Sequence, residues 1–265
     1  MISSLAHIHK DAQIGTNVRI DPFAVIEDGV VIGDDTHIMS HSVIMRNSIL
    51  GKSCRIFPGA VIGAIPQDLK FDGEETFVQI GDNTTIREFV TVNRGTKDKW
   101  KTTVGNNCLL MAYCHIAHDC IVGNNAVIAN TVQLAGHVEV GDFAILGGMA
   151  AAIQFAKIGA HSYIAGGTEI IKDIPPYIKA GRHPISYVGV NSVGLQRRGF
   201  SSEKINSILE IYRNIYTRGL NITQATSFIE NELPETEEKN EIIKFIKDSK
   251  RGILKASAKG ITDED

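Results

Sequence analysis

The segment His115-Ile116-Ala117-His118-Asp119-Cys120 sets two imidazoles and a carboxylate within six residues. An imidazole that titrates near neutrality is the natural base for a hydroxyl proton, and an adjacent carboxylate can fix which ring nitrogen carries hydrogen. A third histidine, His137, follows directly after Gly136, whose bare backbone could offer an N–H to a developing oxyanion. These parts suit acyl transfer. The same three imidazoles also suit a zinc-bound water, and a non-catalytic spacer scaffold is a third reading.

Those residues interrupt a strict repeat. Stepping by six from Ile2 to Ile170 gives 29 positions, and all but Asp68, Glu74, Asp98 and Ala152 are Ile, Leu or Val. Four residues after each frame position the side chain is small or β-branched, as at Ala12, Val18, Ala24, Ala126 and Ala144. One large and one small inward residue per hexad describes a narrow prism, and three hexads make a coil of about 18 residues with parallel strands stacked about 4.8 Å apart. The fold class is therefore mainly β, a parallel β-helix over residues 1–188, with the left hand taken from the likeness to other hexad helices. Glycines at 15, 33, 51, 105, 123 and 141 follow the frame residue, where a tight corner would call for a permissive backbone.

Two polar segments, 64–79 and 93–103, break the frame and read as extruded loops that carry function. Pro175 and Pro176 end the pattern and introduce an extended connector. From residue 189 onward the chain reads as a helical domain, with helices over 201–219, 223–233 and 235–254 and a fraying end. Cys54, Cys108, Cys114 and Cys120 share the small inward slot and read as buried structural thiols.

The composition narrows the partners. With 27 basic and 30 acidic side chains in 265 residues and a net charge of -3, nothing global points to nucleic acid or an anionic membrane. The quietest apolar window, 143–156, is too short to span a bilayer, and the N-terminus has no secretory pattern, so a soluble cytoplasmic protein is expected.

With an 18-residue coil, His118, Gly136 and Gln154 form one column and Asp119, His137 and Phe155 the next. In order along the chain, Gln67-Asp68-Leu69-Lys70, the 115–120 segment, Leu134-Ala135-Gly136-His137, residues 143–149, Gly189-Val190-Asn191 and residues 194–200 resemble the UDP-N-acetylglucosamine 3-O-acyltransferases that begin lipid A synthesis. The resemblance implies a homotrimer with sites between neighbouring prisms, UDP-N-acetylglucosamine as acceptor, and a 3-hydroxyacyl chain carried on the phosphopantetheine of acyl carrier protein. It implies no metal and no resident cofactor. His118 is similar to the general base, Asp68 to the residue that orients base and sugar, and Gly136 to the oxyanion position. Gln67, Lys70, His115, His137 and Gln154 match substrate contacts; Asn191, Arg197 and Arg198 resemble residues on the nucleotide, pyrophosphate or carrier side; and Gly166 falls where acyl length is set. Two positions depart from the pattern: Ile153 stands where relatives carry His, and Val193 where they carry Glu. A hexad acyltransferase with another nucleotide-sugar acceptor and a zinc-dependent, carbonic-anhydrase-like enzyme are the alternatives.

Overall fold

The structure, a computed structural model, describes residues 1–256. Each hexad becomes a two-residue strand whose second member is the frame residue, as in His7–Ile8, Gln13–Ile14 and Arg19–Ile20. Successive side chains of a strand point to opposite sides, so the frame residue faces in and its predecessor out. Strands pair in parallel with those one coil away, for example Ile8 with Ile26 and Ile116 with Leu134. The result is three sheets of 9, 8 and 10 strands wound as a left-handed β-helix. The first face begins at His7–Ile8, the second at Gln13–Ile14 and the third at Arg19–Ile20.

The interior is a stack of aliphatic layers. Ile26, Ile38, Ile44, Ile56, Ile62, Ile86 and Ile116 are fully buried, with Ala24, Ala60, Ala126 and Ala144 as the small partners. Burying each such large side chain contributes roughly 1.5–3 kcal/mol. The four thiols are free and buried in the same slot, and burial pushes those of Cys114 and Cys120 up to about 12.

The corners form differently from the sequence reading. The left-handed position falls three residues after the frame; Gly29, Gly59 and Gly167 hold it at three corners, but most are held by other residues, among them Asn17 at φ 56°, Asp119 at 60°, His137 at 63° and Phe155 at 63°. The glycines directly after the frame serve close approach instead. A Cβ on Gly33 would stand 2.5 Å from the carbonyl carbon of Gly51, and one on Gly123 only 2.7 Å from the amide of Asp142.

Both interruptions leave from the corner between the first and second faces, and both are shorter than 64–79 and 93–103. Val61–Ala64 and Phe77–Ile80 are strands, as are Thr91–Asn93 and Lys101–Val104, leaving loops of 65–76 and 94–100. Residues at both ends keep pairing with neighbouring coils, Val78 with Ser48 and Thr102 with Val78, because the ladder satisfies backbone groups that a loop would leave to water.

After the prolines the connector is not merely extended. Ile178–Gly181 joins the third face, and Ser186–Val190 pairs antiparallel with it, spanning the expected boundary at 188/189. The helices are α1 (Ser192–Arg197), α2 (Ser202–Tyr216), α3 (Ile222–Glu232) and α4 (Glu237–Asp248). Ser201, Asn221 and Thr236 cap α2, α3 and α4 through their side chains. Helix α4 ends well short of residue 254, because the Ser249 hydroxyl bonds Asp173 at 2.6 Å and the chain returns to bridge Asp173 through Ile253. The expected fraying of the last residues falls outside the described part.

Candidate active site

His118 and Asp119 occupy the corner between the first and second faces, carried by the strands His115–Ile116 and Ile121–Val122. Ile116 and Cys120 point inward and are fully buried, which turns the residues between them onto the corner. The positive φ of Asp119 folds its carboxylate back onto the preceding ring, and Asp119 Oδ2 lies 2.9 Å from His118 Nδ1. The two side chains are 0% and 5% exposed.

Asp119 is therefore a buried carboxylate, and its neighbours decide its charge. Burial alone would raise its pKa; the hydrogen bonds from Thr96 and His118 outweigh that and leave it below the usual carboxylate range. An ionised Asp119 accepts hydrogen from His118 Nδ1, so the lone pair of the ring sits on Nε2. That is the state of an imidazole ready to take a proton.

Gly136 lies in the next coil against this ring. A Cβ there would stand 2.5 Å from His118 Cε1 and 2.6 Å from Nε2, so residue 136 is glycine because the His118 ring occupies that space. Among the described residues its amide donates to no partner, whereas the flanking Ala135 and His137 amides bond Ala152 and His118. Gly136→Ala therefore displaces the ring: kcat falls by roughly 10²-fold or more while the coil persists. Steady-state kinetics beside a thermal melt checks this, and an alanine variant of normal kcat would remove the steric argument.

The columns read from the 18-residue coil are present. The His118 and His137 rings meet edge to face with centroids 5.0 Å apart, and His137 stacks on Phe155 at 4.3 Å. His137 Nε2 is 3.8 Å from Asp119 Oδ2, and Asp98 Oδ2 is 3.2 Å from its Nδ1. Burial lowers the pKa of His137 against the opposing pull of Asp119. His115 is turned aside: its Nδ1 is 2.7 Å from the Thr91 hydroxyl, and burial together with nearby His118 lowers its pKa. The cluster that could close on a cation is therefore His118, Asp119 and His137 rather than three imidazoles.

Asp68, expected to orient the base, does not touch it. Its Oδ1 accepts from the Lys70 amide at 3.0 Å, and the residue that holds His118 is Asp119. Asp68 and Lys70 instead line a concavity of about 250 Å³ with Thr96, Asp98, His137 and Phe155. Gln67 is exposed on the same loop. The Gln154 carbonyl accepts from Arg251 at 2.7 Å, which ties the chain beyond α4 to the His118 column.

The remaining expected residues lie on other corners. Asn191 donates to the His161 carbonyl at 2.9 Å, and Arg198 donates to the Phe143 carbonyl at 2.9 Å while its guanidinium covers the Phe143 ring. Phe143 and His161 belong to the corner between the second and third faces; burial, with Arg198 nearby, holds His161 down at about 4. Arg197 is exposed in the last turn of α1. Gly166 follows Tyr163–Ile164 on the corner between the third and first faces, exposed, with its Cα side close to the Gly148 carbonyl. One copy of the chain does not bring these four to His118. The sequence shows Asp119 beside His118, where a neighbouring carboxylate can fix the tautomer, while the family resemblance gives the orienting role to Asp68; nothing local signals Thr96.

Comparison with known proteins bears on the family and the fold. The family profile described as UDP N-acetylglucosamine O-acyltransferase, domain 2, matches residues 173–254, and bacterial transferase hexapeptide repeats match 29–64 and 101–136. The acyl-[acyl-carrier-protein]–UDP-N-acetylglucosamine O-acyltransferase of Sulfurihydrogenibium is 44% identical over 100% of this chain and 99% of its own length. That of Myxococcus xanthus is 41% identical over 94% and 97%. Among solved structures, the UDP-N-acetylglucosamine acyltransferase of Bacteroides fragilis superposes with a TM-score of 0.95 at 50% identity, covering 96% of this chain and 100% of the other. The Francisella novicida enzyme gives 0.95 at 40%, covering 97% and 95%.

Proposed function

The chain belongs to the acyl-[acyl-carrier-protein]–UDP-N-acetylglucosamine O-acyltransferases, and from that membership we propose that it performs the first step of lipid A synthesis with His118 as general base. The acceptor is UDP-N-acetylglucosamine and the donor a 3-hydroxyacyl chain on the phosphopantetheine of acyl carrier protein. His118 Nε2 takes the proton of the sugar 3-hydroxyl as that oxygen attacks the thioester carbonyl. The Gly136 amide meets the oxyanion, the C–S bond breaks, and the sulfur leaves with the proton held by His118. Acyl transfer is direct, with no enzyme-bound acyl group, metal or resident cofactor.

The observation that carries this reading is the buried His118–Asp119 pair with Gly136 against the ring. The first-loop residues Gln67, Asp68 and Lys70 border the same corner and suit the sugar side. Asn191, Arg197, Arg198 and Gly166 stand on the other two corners, so their substrate roles call for a neighbouring copy, which supports a homotrimer with shared sites. No helix among the described residues is long and apolar enough to cross a membrane, in keeping with a cytoplasmic enzyme. Mass spectrometry of products from UDP-N-acetylglucosamine and 3-hydroxyacyl carrier protein, in the presence of a chelator, tests the reading. A 3-O-acyl nucleotide sugar is expected; an N-linked product, or turnover that stops with chelation, would overturn it.

A further inference from the structure

Loop 94–100 closes over the site corner in a way that the base pair alone does not require. Its Thr96 is buried, 6% exposed, and gives two hydrogen bonds to the carboxylate of Asp119. The Thr96 amide donates to Oδ1 at 2.9 Å and its hydroxyl to Oδ2 at 2.6 Å, while the Lys99 amide adds a longer bond to Oδ1 at 3.3 Å. With the bond from His118, each carboxylate oxygen receives two donors, the set that keeps a buried carboxylate ionised.

The direction of the Thr96 hydroxyl is determined by its neighbours. Its oxygen accepts from the Asp98 amide at 3.3 Å, so its single hydrogen is free to point at Asp119 Oδ2. The same oxygen receives His118 Nδ1. An Oδ2 that accepts from both sides leaves His118 no option but Nδ1–H. We infer that Thr96 is a positioning residue for the reaction: through Asp119 it holds His118 in the tautomer whose Nε2 is free to take the substrate proton.

The loop itself is fastened to present this threonine. Lys99 Nζ bonds Glu139 at 3.1 Å, Lys157 lies 3.5 Å from the same carboxylate, and the Lys97 amide donates to Glu74 of the other loop at 3.1 Å. Thr102, in the strand that follows, accepts the Asp119 amide on its hydroxyl oxygen at 2.8 Å, so the backbone of Asp119 is held as well. Thr96 thus joins a fixed loop to the proton-transfer chain across 23 residues of sequence.

This inference rests on His118 being the base, and the test separates the two. Thr96→Val keeps the shape and the backbone amide but removes the hydroxyl; Thr96→Ser keeps the hydroxyl. The valine variant is expected to lose about 10- to 100-fold in kcat, the range for removing an outer-shell partner of a metal-bound imidazole applied to this positioned one, with KM for UDP-N-acetylglucosamine unchanged. The serine variant should return most of that loss. Nitrogen NMR of labelled histidine reads the tautomer directly: the wild type should show His118 protonated at Nδ1, and the valine variant a mixture. Wild-type kcat and tautomer in Thr96→Val, or a serine variant as slow as valine, would overturn the inference. If His118→Ala retains full rate, the base assignment fails first, and the tautomer measurement still reports on Thr96.

Discussion

His118→Ala lowers kcat by roughly 10²- to 10⁴-fold and leaves the β-helix and its oligomeric state intact. The side chain sits on a corner, and the residues that build the coil beneath it, Ile116 and Cys120, are not altered. Removing the imidazole opens space beside Gly136 that water can reach, so the loss of packing is small compared with the loss of the base. The Gly136 amide and the substrate contacts persist, which is why activity does not fall to the uncatalysed level. KM for the nucleotide sugar should change little, because the ring acts on a proton that moves only as the reaction proceeds. Kinetics with saturating acyl carrier protein and a thermal melt measure both expectations. Near-normal kcat would take His118 out of the mechanism, and a lost melting transition would make it a structural residue.

The prism and part of the site were legible because a hexad repeat converts sequence distance into position. Wherever the coil holds 18 residues, arithmetic places side chains: His137 over Phe155 and Gly136 against His118 follow directly. The loops escape this arithmetic. Val61 pairs with Thr91 and Thr91 with His115, spacings of 30 and 24 residues, so what the extra residues reach depends on tertiary contacts that no local pattern encodes. The Thr96–Asp119 bonds are of this kind: adjacency makes Asp119 a candidate to fix the tautomer and the family parallel gives an orienting role to Asp68, but only the tertiary contacts show which carboxylate meets His118. The glycines were misread because sequence shows that a side chain is missing and not why; a positive φ and a close neighbour leave the same residue. The antiparallel pair after the prolines was likewise hidden, since Ile178–Gly181 is apolar enough to read as a connector lying on the prism and becomes a strand only where the third face offers an open edge.

Asp119→Asn should cost as much activity as removal of the base, through the ring rather than through charge at the substrate. A carboxamide keeps one acceptor oxygen and replaces the other with an NH₂ group. If the NH₂ faced the Thr96 and Lys99 amides, donors would oppose donors, and a buried donor left without an acceptor costs about 1–3 kcal/mol. The other orientation leaves the oxygen on those two amides and turns the NH₂ toward His118 Nδ1 and the Thr96 hydroxyl oxygen. Then Nδ1 must accept, the ring hydrogen moves to Nε2, and His118 can no longer take a proton from the substrate. A comparable tautomer reversal in serine proteases costs about 10⁴ in kcat, and a fall of roughly 10²- to 10⁴-fold is expected here. Stability supplies an independent readout. Asp119 titrates below its usual range in the folded chain, so its bonds stabilise the fold above the unfolded carboxylate range, and that contribution fades as pH drops through the lowered folded value. The wild type should therefore melt above Asp119→Asn near pH 7, with the gap narrowing as the pH is taken down through the carboxylate range. A gap that stays constant across that range would mean the variant perturbs packing alone, and a variant with normal kcat would show that the ring keeps its tautomer without the carboxylate.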